Sequence, residues 1–97
     1  MQQVTQIIQR ANGSEVRLTA TPMFGLGLHL SIDVYVHYRE SPDHEWKLAS
    51  DTPHPEWKAM PLSDYLKFGR SEKNRLTTPG ERLKVMSAAM APESQPA

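Results

Sequence analysis

The chain has 97 residues, no cysteine, and eleven basic against eleven acidic side chains, for a formal charge of zero. This length suits one small domain with one modest core. The missing thiols exclude disulfide staples and thiolate metal sites, and the neutral balance removes any bulk electrostatic argument for nucleic acid or an anionic membrane. No apolar run approaches the ~20 residues that span a bilayer. Met1-Gln2-Gln3-Val4-Thr5-Gln6 carries neither the basic nor the apolar region of a secretory signal, so a soluble cytoplasmic protein with no membrane partner is expected.

Gln3 to Arg10 reads as a first strand that ends at Asn12-Gly13. Both central residues of a type I′ hairpin turn take positive φ, which Asn and Gly tolerate. A two-residue loop there sets Arg10 opposite Glu15 and Ile7 opposite Leu18. The second strand runs from Glu15 to Thr21 and stops at Pro22, with Met23 to Gly27 as the next loop. The third strand, Leu28 to Arg39, alternates without a fault: Leu28, Leu30, Ile32, Val34, Val36 and Tyr38 against His29, Ser31, Asp33, Tyr35, His37 and Arg39. That loop pairs Ala20 with Leu30, Leu18 with Ile32 and Val16 with Val34, and on the other face it matches Arg17 with Asp33.

Glu40-Ser41-Pro42-Asp43-His44 is dense in turn formers. Taken as a five-residue loop, it pairs Arg39 with Glu45, Tyr38 with Trp46 and Val36 with Leu48. A four-residue loop sets Leu48 opposite His37 on the polar face, and one residue of slip inverts a whole strand. The longer loop is therefore expected. A four-stranded meander follows, with Ile7, Val16, Leu18, Ala20, Leu30, Ile32, Val34, Val36, Trp46 and Leu48 on one side.

That side needs a cover, because each large apolar side chain left in water forgoes about 1.5–3 kcal/mol. Ser50 to Met60 is irregular around Pro53 and Pro55. Pro61 to Gly69 reads as a short helix with Pro at its start and Gly at its stop, and Leu62, Tyr65 and Leu66 form the expected lid. Thr77-Thr78-Pro79-Gly80-Glu81 is a turn centred on Pro-Gly. Arg82 to Ala89 is expected as a C-terminal strand, with Lys73 to Thr77 as its hairpin partner or else as a continuation of the helix. Ala91 to Ala97 is a disordered tail. The expected fold is one α+β domain over residues 1–90, mainly antiparallel sheet with one short helix on its apolar face.

Candidate chemistry is sparse. His29 and His37 lie eight residues apart on one strand, ~26 Å, too far to share a metal. His44 and His54 sit in loops near Asp43, Asp51 and Glu56, but their spacing matches no zinc pattern. Asp33 and His37 are ~13 Å apart along a strand, beyond the ~3 Å a base and its orienting carboxylate need. No serine stands in G-x-S-x-G. Gly25-Leu26-Gly27 precedes a strand rather than a helix, so it is a turn and not a phosphate cradle. No catalytic, cofactor or metal residues are assigned, and no cofactor is expected.

Four residues stand out as partner contacts: Trp57, Tyr35, His37 and Phe24. Trp57 serves either as a plug beside Met60 and Phe68 or as an interface anchor. The expected function is a small non-enzymatic protein-interaction module whose partner is another protein or a second copy, because a small open sheet leaves edges to be paired. One alternative is nucleic-acid binding through the basic segment Lys67 to Lys84, which carries six bases against two acids. The other is a metal-assisted enzyme in the acidic Glu40 to Asp64 segment, built on His44 and His54.

Overall fold

In the computed structural model, the described residues are 2–24 and 30–91. They form a four-stranded antiparallel meander in the order β1-β2-β3-β4, with β1 Val4–Gln9, β2 Glu15–Phe24, β3 Leu30–Arg39 and β4 Lys47–Leu48. The helices are α1 Leu62–Asp64, which runs on as a π-helical turn over Tyr65–Gly69, then α2 Glu72–Leu76 and α3 Pro79–Met90. The α+β class and the antiparallel meander are those expected. The shortest dimension, 21 Å, is that of a sheet with one helical layer.

The cover over the apolar face differs from the expected one. Arg82 to Ala89 is part of α3 rather than a strand, and Lys73 to Thr77 lies largely in α2 rather than in a hairpin. The cause is a capping box. The Thr78 hydroxyl accepts from the Glu81 amide at 3.1 Å and the Glu81 carboxylate accepts from the Thr78 amide at 2.9 Å, with Pro79 in the first turn. Val85 and Ala89 then lie on the sheet, completing a core with Val16, Leu18, Ala20, Val34, Val36 and Ala49. Pro61 to Gly69 is helical as expected, but it does not close the core. Leu62 is 71% exposed, and Leu66 and Phe68 are exposed too.

Arg10 fastens α3 to the sheet. Its guanidinium donates to both carboxylate oxygens of Glu81, at 2.8 and 2.9 Å, and to the Leu76 carbonyl. The expected partner, Glu15, instead holds Arg39 across the β2–β3 pair.

All three expected registers shift. The first hairpin closes through Arg10–Ser14, with the Gly13 amide donating to the Arg10 carbonyl and Gly13 at φ 88. This is a three-residue loop with a left-handed glycine, not a two-residue type I′ turn. Ile8 therefore meets Val16, and Ile7, expected inside opposite Leu18, points outward opposite Arg17. β2 continues through Pro22 to Phe24, so Leu18 meets Val36 and Ala20 meets Val34. That slip is even, so both faces survive while every partner changes. Arg17 stands opposite His37, and Asp33 stands opposite Thr21. The expected loop segment 25–27, the first two residues of the long strand (Leu28 and His29) and most of the tail (92–97) lie outside the described residues.

In the last hairpin, Tyr38 pairs with Lys47 and His37 with Leu48, the register of the four-residue loop. The turn closes with the His44 amide on the Ser41 carbonyl at 3.0 Å. Small Ala49 takes the inner position beside Val36, while Trp46 and Leu48 turn to the outer face. Trp46 is stacked there by Arg17 at 4.7 Å and Arg39 at 4.2 Å from its ring centroid. Two such cation–π contacts, about 1–2 kcal/mol together, are of the same size as the leucine burial given up.

Candidate functional site

The outer face of the meander is uncovered, and strand alternation sets its residues in rows. One row is Ile7, Arg17, His37 and Leu48, and the next is Thr5, Thr19 and Tyr35. A third joins Gln9, Glu15 and Arg39. Between Thr5, Arg17, Thr19, Tyr35 and His37 lies an open hollow of about 470 Å³. Its lining is largely polar, while the Arg17–His37 row ends in exposed Ile7 on one side and Leu48, 61% exposed, on the other. Tyr35 is 43% exposed at the centre.

Electrostatically the face is held in a fixed pattern. Glu15 pins Arg39 at 2.6 Å, and the indole of Trp46 lies against both Arg39 and Arg17. Arg17 therefore has an aromatic neighbour and no carboxylate partner among the described residues. Partial burial and then the charge of Arg17 hold the His37 imidazole below its usual range, which favours the neutral ring. Its Nδ1 is buried without a hydrogen-bond partner.

Of the expected partner-binding residues, the structure brings Tyr35 and His37 together here. Trp57 lies elsewhere, in a single 3₁₀ turn (Trp57–Ala59), with its ring centroid 5.8 Å from that of Tyr65 and 5.6 Å from the Lys58 ammonium. It is 37% exposed. Phe24 is the last residue of β2, paired with Leu30. Ile7, Leu48, Trp46 and the two stacked arginines complete the face. Arg17 and Arg39 stand on the polar side as expected; Ile7, Trp46 and Leu48, expected inside, are brought here by the turn-set registers of β1 and β4.

The other expected sites take these positions. His44 bonds to Ser41 at 2.6 Å, and the His54 Nδ1 accepts from the Glu56 amide. Among the described residues no three of His, Asp or Glu come together as metal ligands. In the basic segment, Lys73 pairs with Asp51, Arg70 donates to the Leu66 carbonyl, Arg75 to the Arg70 carbonyl and Arg82 to Thr77. No described helix is long and apolar enough to cross a membrane.

The chain matches no family model, and no curated protein and no solved structure is significantly similar to it. Its function has to be argued from geometry and chemistry.

Proposed function

We propose that the protein is a small interaction module that binds another protein through the open face of its sheet. The observation that supports this is the make-up of that face: exposed Ile7, Tyr35 and Leu48 around a pre-ordered Arg17–Trp46–Arg39 stack. Tyr, Trp and Arg are the residue types that dominate binding energy at protein interfaces, and ordering them beforehand lowers the entropy lost on docking.

The test is a pull-down from extracts of the cells that make the protein, with wild-type bait beside a Tyr35→Ala, Arg17→Glu double variant. Both positions lie on the outer face, so the variant keeps its fold, checked by circular dichroism. Capture of a specific partner that falls at least about tenfold in the variant supports the proposal. Equal capture by both baits contradicts it. A concentration-dependent dimer in sedimentation, lost in the same variant, identifies the partner as a second copy.

A further inference from the structure

β4 ends early, and the residues that end it are visible. The Ala49 amide donates to the Val36 carbonyl at 2.8 Å, the last ladder contact on that side. The next residue is drawn off the sheet: the Ser50 amide donates to Glu72 at 3.0 Å, and the Ser50 carbonyl accepts from the Lys73 amide at 3.1 Å. Glu72 is itself fixed by the Tyr38 hydroxyl at 3.2 Å. Beyond Val36, no described strand pairs with β3 on this edge.

Backbone groups alternate sides along a strand. Since Val36 faces β4, the N–H and C=O of Val34 and Ile32 face the same way, onto the open edge. Two hollows of about 340 and 150 Å³ lie along it and share Val34, Asp51 and Lys73. Met86 and Asn74 line the larger one on the helical side. The edge thus borders an open slot between β3 and the α2–α3 layer.

The geometry points to this slot as an acceptor for an extended peptide from another chain, added antiparallel to β3 in line with β4. Its inward side chains would rest by Ile32, Val34 and Met86, which favours apolar residues against the strand, while Asn74 and Arg82 give the helical side of the same hollow a polar lining. Its outward side chains would stand opposite Ser31, Asp33 and Tyr35. Asp33 is exposed and has no cation partner among the described residues, whereas Asp51 is already paired with Lys73, so it is the outward position facing Asp33 that favours lysine or arginine. A second copy pairing the open stretch Ile32–Val34 with itself sets Asp33 directly against Asp33, a like-charge contact that disfavours self-association here. This inference rests on the interaction-module proposal but uses a different surface from the open face.

The probe is a blocked heptapeptide of alternating lysine and valine, followed by amide hydrogen exchange and two-dimensional NMR on the whole protein. Saturable binding with slowed exchange at Ile32 and Val34 supports strand addition. Three further results do so as well: loss of binding when the valine nitrogens are methylated, binding at least tenfold weaker with glutamate in place of lysine, and a reversal of that preference in Asp33→Lys. No binding overturns the inference, as does binding that survives N-methylation or ignores Asp33. Concentration-dependent protection of the same two amides without peptide also overturns it, in favour of a second copy. Tyr35 borders both surfaces, so the two proposals are told apart by Arg17→Glu alone, which lies away from the β3 edge: it should lower partner capture and leave peptide binding unchanged.

Discussion

The same three long strands build two surfaces of opposite character. On the inner face Val16, Leu18, Ala20, Val34 and Val36 are buried under Val85 and Ala89 of α3. On the outer face, one residue away at every step, Arg17, Tyr35, His37 and Leu48 have no described helix over them and meet only neighbours on the same face, Trp46 among them. The inner face holds the fold together. The outer one is held in order by it, and is therefore free to be spent on recognition. Substitutions should separate the two.

The largest effect is expected inside. Leu18 is fully buried at the middle of the sheet, so Leu18→Ala should destabilise by about 2–5 kcal/mol, read from the denaturant midpoint. In a core whose other members are mostly valine and alanine, that can unfold the domain at 25 °C.

The link between the layers comes next. The hydrogen bonds from Arg10 hold the Glu81 carboxyl down at about 2, against an unfolded value near 4.5. A depressed carboxyl gives stability that is complete above the unfolded value and is lost as pH falls from there through about 2. Allowing for solvent screening of a partly exposed pair, Glu81→Ala should cost about 1–2 kcal/mol at neutral pH. It should also flatten the acid limb of the stability profile, measured by denaturation across that window.

Outside, effects on stability should be small and effects on binding large. Trp46→Ala removes both guanidinium stacks and should cost about 1 kcal/mol of stability, with a greater loss in capture of a partner. Leu48→Ser should change stability by less than about 0.5 kcal/mol, because Leu48 already faces solvent. A loss of about 2 kcal/mol there would mean that Leu48 is packed against Val36 after all.

How much of this was legible follows from parity. In β2 and β3 the alternation is long enough to fix the faces, so the four-residue slip caused by the extension of β2 through Pro22 left every inner residue inside. In β1, Val4 and Ile8 share one phase and outnumber Ile7, whereas a type I′ turn at Asn12-Gly13 selects the phase of Ile7. In fact Asn12 accepts from the Ser14 amide and hydroxyl, and only Gly13 turns left-handed. In β4 only two residues are paired, too few for a phase. Its direction is set by Arg17 and Arg39 meeting Trp46, contacts that no local pattern announces. α3 could have been seen, since Thr78-Pro79-Gly80-Glu81 before an apolar run is a capping-box signature; the short alternation of Leu83, Val85 and Ser87 drew attention from it. On the outer face, Tyr35 and His37 stand where the alternation of β3 puts them, and Ile7, Trp46 and Leu48 change sides with the registers of β1 and β4.

The division into a packed face and a bare one is tested most directly by side-chain proton contacts in solution. Leu18 should show contacts to both Val36 and Val85, while the Trp46 indole contacts the side chains of Arg17 and Arg39 and none of α3. Contacts from Trp46 or Leu48 to Val85 would place them under the helix, and both the bare face and the binding role argued for it would be contradicted.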